Sequence, residues 1–236
     1  MSIPDFSRSK ALNNIPQKKL LEHLSIIEKS NDNIKTKSLR STAVNRYAES
    51  NIPVEYWSLE MKKDFKGDSR LLTKYNEYTS DLRASYINGS SICFAGAHGT
   101  GKSLTSTCIL KRSCLSGFHV LYTTLSDVVV ALTQSGNEDK LLARRELTMV
   151  DFLTIDEFDP RFFSSESASD LYARSLEGIF RTRSQNKLPT IMCTNSPNIK
   201  EIFTGSLKAS IGSLISGYLP IFTVLGSDFR KGNESK

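Results

Sequence analysis

Residues 96–103 read GAHGTGKS, and this stretch decides the fold. It fits G-x-x-x-x-G-K-[S/T] at every fixed position, after an apolar run at 91–95 and before a helical pattern at 103–116. In this strand–loop–helix context the glycines let backbone N–H groups point at phosphate oxygens, and the helix dipole favours the same negative charge. The sequence therefore predicts a nucleotide site, with Lys102 on the β- and γ-phosphates and the Ser103 hydroxyl on Mg²⁺. The residues predicted to contact the nucleotide here are Gly96, Ala97, His98, Gly99, Thr100, Gly101, Lys102, Ser103 and Leu104.

A second apolar run ends in two acidic residues. Residues 152–157 read FLTIDE, so Asp156 and Glu157 follow a predicted buried strand. A nucleotide site of this kind needs a carboxylate at a strand end to hold the metal and a base to polarise water. We predict that Asp156 is a magnesium ligand, acting through water, and that Glu157 is the general base. The adjacent Asp-Glu pair is typical of ATP hydrolysis, so ATP is the predicted nucleotide.

Asn195 ends a third candidate strand. Residues 189–195 read PTIMCTN. In a parallel sheet this strand can lie beside the one that ends in Asp156, which would place Asn195 near the γ-phosphate to orient water. The alternative is a turn-forming Asn, because Ser196 and Pro197 follow it.

Arginine residues supply the remaining candidates. Arg230 follows the last predicted strand closely, and we predict that it reaches the phosphates from a C-terminal lid; the alternative is a solvated residue of a basic tail. The helical pattern at 167–183 carries Arg174, Arg181 and Arg183, which face either a neighbouring subunit or solvent.

Strand and helix patterns alternate through the rest of the chain. Continuous apolar strands that alternate with helices indicate a parallel sheet covered on both faces, an α/β fold. The predicted strands are 91–95, 118–123, 152–155, 190–194 and 221–225, and the predicted helices are 69–86, 103–116, 125–133 and 167–183.

The first 50 residues differ from the rest in charge. The chain of 236 residues has 31 Lys+Arg, 25 Asp+Glu and 39% hydrophobic residues, an ordinary globular composition that excludes a disordered or fibrous protein. Residues 1–50 hold nine basic and five acidic residues. A helix is predicted at 16–29, a linker at 30–41 and a short helix at 43–49. We therefore divide the chain into a basic helical N-terminal element, 1–50, and an ATPase core, 51–236. The element is either a cap on the core or a module that docks a partner.

The sequence gives no sign of a membrane span, an export signal or a zinc module. No uninterrupted run of about 18 apolar residues is present, and none of the four cysteines forms a C-x-x-C pair. A cytoplasmic protein without membrane contact is expected. Cys93 and Cys193 lie in apolar runs and are predicted to be small buried hydrophobes.

With these elements in order, the chain resembles the AAA+ ATPases of the DnaC/IstB group, the bacterial and phage helicase loaders and transposition ATPases. The resemblance covers about residues 50–230, and it rests on the loop, the Asp-Glu pair, the Ile52-Pro53 segment, Asn195 at the sensor 1 position and Arg230 at the sensor 2 position. It implies an AAA+-type P-loop sheet flanked by helices. The family loop usually has Pro where this chain has His98.

One departure concerns the arginine finger, which in the family lies between the two sensors. Residues 206–215 contain Lys208 and no arginine. A trans-acting arginine is worth roughly 10³–10⁵ in turnover. Either Lys208 substitutes, or Arg161, Arg174 or Arg181 serves, or hydrolysis is slow and ATP acts as an assembly switch.

The resemblance implies an ATP-binding and ATP-hydrolysing replication accessory protein of the helicase-loader type. Its N-terminal element would dock a replicative helicase, and its core would bind ATP and Mg²⁺, form a homo-oligomer and contact single-stranded DNA by charge. The alternatives are an IstB-like transposition helper on duplex DNA and a nucleotide-gated interaction module with little hydrolysis. A metabolic kinase fits less well, because the Asp-Glu pair and Asn195 suit water activation.

Overall fold

Five strands form one parallel sheet in the computed structural model, which describes residues 34–133, 136–158, 166–196, 208–226 and 228–229. The order across the sheet is β2-β3-β4-β1-β5, and each neighbouring pair is parallel. The strands are β1 (Ile92–Gly96), β2 (Val120–Thr124), β3 (Phe152–Asp156), β4 (Thr190–Thr194) and β5 (Ile221–Val224). The predicted α/β class and all five strands are thus confirmed. The phosphate-loop sequence leaves the carboxyl edge of β1, the edge at which open parallel sheets bind ligands.

Helices cover both faces of this sheet. In chain order they are α1 (Ile34–Glu49), α2 (Met61–Asp64), α3 (Ser69–Ser80), α4 (Leu82–Ile87), α5 (Lys102–Leu115), α6 (Leu125–Thr133), α7 (Asn137–Met149), α8 (Glu166–Gln185) and α9 (Lys208–Tyr218), and a 3₁₀ turn lies at Val54–Tyr56. The described helices include none that is both long and apolar enough to cross a membrane.

The alternation of side chains along each strand divides the core into two layers. Phe94, Tyr122 and Phe152 point to the face covered by α5 and by the helices that precede β1. Leu153 and Met192 point to the opposite face, which is covered by α6 to α9. Burying both faces explains why the strands read as continuous apolar runs. Cys93 and Cys193 are buried and unpaired, as predicted.

Two helical predictions need correction, and one helix was missed. The polar segment at 30–41 was expected to be a linker, but α1 begins at Ile34 and continues to Glu49. Residues 30–41 contain no glycine or proline to interrupt a helix. Tyr47 and Ala48, at the end of α1, are buried in the layer of the core that contains Phe94. The single helix expected at 69–86 divides at Asp81, whose carboxylate accepts a hydrogen bond from Ala84 N at 2.8 Å and so begins α4. Helix α7 has a weak apolar pattern and was not predicted. The helix predicted at 16–29 lies outside the described residues.

Candidate functional site

The phosphate loop is held in a shape that requires glycine. Gly99 and Gly101 have φ values of +70° and +91°, a region that side chains with a β-carbon rarely adopt. Space is equally restrictive, because a β-carbon on Gly101 would lie 2.4 Å from the Phe65 ring and one on Gly99 would lie 1.7 Å from Asp228 Oδ1. The loop is therefore packed closely by residues from outside the motif.

Lys102 begins α5 and is only 6% exposed. Its ammonium donates to Gly96 O at 2.9 Å and to Ala97 O at 2.6 Å. The buried Thr100 hydroxyl donates to the same Ala97 carbonyl at 2.9 Å. The positive charge is thus held against the loop by loop carbonyls. Ala97 and His98 are exposed.

Asp156 is the last residue of β3 and is buried, with 4% exposure. Each of its carboxylate oxygens accepts one hydrogen bond: Oδ2 from the Tyr122 hydroxyl at 2.7 Å and Oδ1 from Glu157 N at 2.8 Å. Glu157 is exposed and has a φ of +51°, an uncommon conformation for a glutamate. A residue in such a conformation at a strand end is typical of functional sites.

Two tyrosines that were not predicted as site residues respond to the charge of this carboxylate. Burial and the Asp156 charge raise the pKa of Tyr122 far above its ordinary value, so its phenol stays a proton donor. Burial, Glu55 and then Asp156 raise the pKa of Tyr56, whereas a hydrogen bond with the Ser103 side chain lowers it. The Asp156 charge therefore acts on both phenols. The alternation of β2 places Tyr122 on the face of Asp156, but only the strand order reveals that the two strands are neighbours.

Asn195 follows β4, the strand beside β3, so the expected adjacency of these strands is confirmed. The residue after Glu157 is tied to this strand, because Phe158 N donates to Cys193 O at 2.9 Å and the Thr194 hydroxyl donates to Phe158 O at 2.7 Å. Glu157 and the half-buried Asn195 therefore emerge from one edge of the sheet.

The segment from Ile52 to Phe65, here named the lead-in segment, packs along α5 and reaches the loop. The buried Lys111 of α5 donates to the carbonyls of Tyr56, Trp57 and Leu59. At its far end Phe65 meets the Phe229 ring edge to face, with centroids 6.3 Å apart. Phe229 N donates to Gly99 O at 3.2 Å. The chain just before Arg230 thus contacts the loop, while Arg230 itself lies outside the described residues.

The arginines of α8 have three different surroundings. Arg183 is fully buried and donates to Thr190 Oγ1 and to backbone carbonyls. The prediction that it faces a neighbouring subunit or solvent is therefore wrong. Arg181 is exposed and pairs with Glu177 at 2.6 Å. Arg174 is exposed. Lys208 begins α9, and Arg161 lies outside the described residues.

The chemistry of the donor set suits magnesium. Ser103 and Asp156 offer hydroxyl and carboxylate oxygens, which Mg²⁺ prefers. Among the described residues no group of three or more His, Cys, Asp or Glu side chains forms a metal cage. Magnesium beside a nucleotide takes one or two protein ligands, and phosphates and water supply the others.

Comparison with known proteins identifies relatives of this chain. The replicative helicase loader DnaC of Escherichia coli K12 is 30% identical over 141 residues, which are 58% of this chain and 54% of DnaC. DnaC of Shigella flexneri matches to the same extent. The chain thus spans about half the length of the curated relatives it matches. No protein-family profile matches it.

Solved structures share its fold at low identity. A DnaC helicase loader structure superposes with a TM-score of 0.57 at 18% identity, covering 72% of this chain and 99% of the other. DnaI gives a TM-score of 0.58 at 15% identity, covering 73% and 94%. The replication initiator DnaA bound to AMPPCP and single-stranded DNA gives 0.56 at 17% identity, covering 75% and 51%.

Proposed function

Since this chain is related to DnaC in sequence and has the AAA+ fold of DnaC, DnaI and DnaA, we propose that it is an ATP-dependent replication accessory protein of the helicase-loader type. The observation that best supports this proposal is that the glycine loop with Lys102 and Ser103 follows β1 while Asp156 ends β3, so both lie at the carboxyl edge of one parallel sheet.

Each residue has a role that its surroundings support. The phosphates of ATP would take the place of the Gly96 and Ala97 carbonyls as partners of the Lys102 ammonium. Ser103 and Asp156 would hold Mg²⁺, which supplies charge neutralisation at the phosphates when bound. The exposed Glu157 would accept a proton from water, and Asn195 would orient that water. Arg230 would act from the C-terminal side of the loop.

The partner assignments are extensions from the relatives. We assign the N-terminal element, residues 1–50, to a replicative helicase and the ATPase core, 51–236, to single-stranded DNA and to other copies of this chain. The DNA contact would be electrostatic, so its affinity should fall steeply with salt. A helicase test should remove residues 1–33 only, because Tyr47 and Ala48 of α1 are part of the core. The shortened chain should keep ATP turnover and fail to co-elute with a replicative helicase.

The ATPase proposal is tested by nucleotide binding and turnover, alone and with single-stranded DNA. Lys102→Ala should abolish ATP binding, whereas Glu157→Gln should retain binding and lower turnover by roughly 10²–10⁴-fold. Lys74→Ala is the matched control, since Lys74 pairs with Glu77 on the surface of α3. Full turnover in Glu157→Gln would contradict the assigned base, and a wild-type chain that binds no nucleotide would contradict the function.

A second candidate function is a nucleotide-gated module with little hydrolysis. It is favoured by the surroundings of the arginines that the structure describes, which offer no clear arginine finger. Residues 206–215 contain no arginine, Arg183 is buried and Arg181 is paired with Glu177. In that case ATP binding would promote assembly while turnover stays negligible in wild type and Glu157→Gln alike.

A further inference from the structure

Tyr122 was not predicted as a site residue, yet it makes a direct contact with Asp156, the carboxylate proposed to hold magnesium. Its hydroxyl donates to Asp156 Oδ2 at 2.7 Å, and both side chains are buried. A buried carboxylate that loses such a partner keeps an unsatisfied oxygen, so this contact matters to the carboxylate more than a surface contact would.

The two hydrogen bonds on Asp156 together fix its orientation. The terminal torsion of an aspartate is broad and is not set by staggering. Glu157 N holds Oδ1 at 2.8 Å and Tyr122 holds Oδ2, so rotation of the carboxylate plane would break both contacts. Without the Tyr122 hydroxyl only the Glu157 N contact would remain, and it comes from a residue with a φ of +51°.

We propose that Tyr122 is a positioning residue of the magnesium site, which holds the Asp156 carboxylate in the orientation that accepts Mg²⁺ or its bound water. The inference rests on the proposed nucleotide function and deepens it. Partners that orient a metal-ligating side chain are worth about 10–100-fold in metal affinity. Tyr122 acts through Asp156 and needs no contact with the nucleotide.

The test separates metal binding from nucleotide binding. Affinity for a fluorescent ATP analogue is measured with EDTA and over a magnesium titration, for wild type and Tyr122→Phe. We expect the variant to need about 10-fold or more Mg²⁺ for half-maximal enhancement, with the affinity in EDTA unchanged.

Tyr78→Phe is the matched control for lost stability. The Tyr78 phenol is also buried and donates to Ser90 O, next to the start of β1 and away from Asp156. This variant should lower the melting temperature and leave the magnesium response unchanged. In an Asp156→Asn background, Tyr122→Phe should cause no further loss of magnesium affinity, since a positioning residue has no effect without the group it positions.

The outcomes distinguish the two proposals. A wild-type chain with normal magnesium-dependent binding and a Tyr122→Phe variant of unchanged magnesium affinity would overturn the role of Tyr122 alone. An equal loss with and without magnesium would also overturn it, because that is the signature of damaged packing. A wild-type chain that binds no nucleotide would remove the proposed function as well.

Discussion

Glu157, the proposed general base, has an unfavourable backbone conformation. Its φ of +51° places it in the left-handed region, which costs a residue with a β-carbon about 1 kcal/mol or more. Its side chain is exposed, so the fold gains little from the glutamate itself. The proposed catalytic role therefore explains a glutamate at this position better than stability does.

We predict that Glu157→Asn raises the free energy of unfolding by about 0.5–1 kcal/mol while abolishing turnover, because asparagine tolerates this conformation better. Urea unfolding and an ATPase assay on the same preparation check both halves. Glu138→Asn is the comparison, since Glu138 is exposed in the first turn of α7; it should bring no such gain. A destabilised Glu157→Asn protein would show that the backbone strain is not relieved.

Asp68 joins two elements that are far apart in the chain. It caps α3 by accepting from Arg70 N at 3.0 Å, and its Oδ2 accepts from Leu225 N at 3.2 Å, next to the end of β5. The Arg70 side chain, together with these backbone donors, lowers the pKa of Asp68 to about 2. The charged form of Asp68 is therefore the one that the fold stabilises.

We predict that Asp68→Ala loses about 1 kcal/mol of stability at pH 6, the typical value of a cap. The folded pKa lies below the unfolded one of 3.8, so the unfolded chain binds more protons between the two. The contribution is complete above pH 3.8 and is lost as the pH falls toward 2. Unfolding curves of wild type and variant should show a smaller difference in the free energy of unfolding at pH 3 than at pH 6. A difference that is constant with pH would contradict the charge-dependent cap.

The elements show where sequence reasoning succeeds. Strands that are buried on both faces, such as β3 and β4, can be recognised in the sequence as apolar runs, and the glycine loop has a fixed pattern. Helix α1 is not evident in the same way, because its sequence is mostly polar, although Val44, Tyr47 and Ala48 contact the core. Tyr122 and Phe65 were missed for another reason: their importance lies in which strand or segment becomes a neighbour, and that is a property of the assembled sheet.

Across the whole molecule, Arg183 connects parts that the sheet alone does not join. It is fully buried, and from α8 it donates to Leu147 O and Val150 O near the end of α7, and to Thr190 Oγ1 and Pro189 O at the start of β4. Burial lowers its pKa, but a guanidinium stays charged. It therefore satisfies backbone carbonyls that water cannot reach.

We predict that Arg183→Met destabilises the protein by at least about 3 kcal/mol, because several buried acceptors lose a charged donor. Arg183→Lys should recover only part of this, since an ammonium lacks the planar set of five donors. Arg181→Met, which removes an exposed ion pair on the same helix, should cost about 0.5 kcal/mol or less. Thermal unfolding of the three variants decides the matter; similar melting temperatures for both methionine variants would contradict the role of Arg183.

Trp57 is the only tryptophan of the chain, and it lies in the lead-in segment. It is 6% exposed, its indole N–H donates to Ile52 O at 2.8 Å, and its ring lies 6.3 Å from that of Tyr47 at the end of α1. The protein thus has a single tryptophan, which lies on the covalent path from α1 to the phosphate loop. The emission spectrum of Trp57 depends on how the lead-in segment packs around its indole. A change in this packing during a titration with ATP or with a partner can therefore be followed without an attached dye.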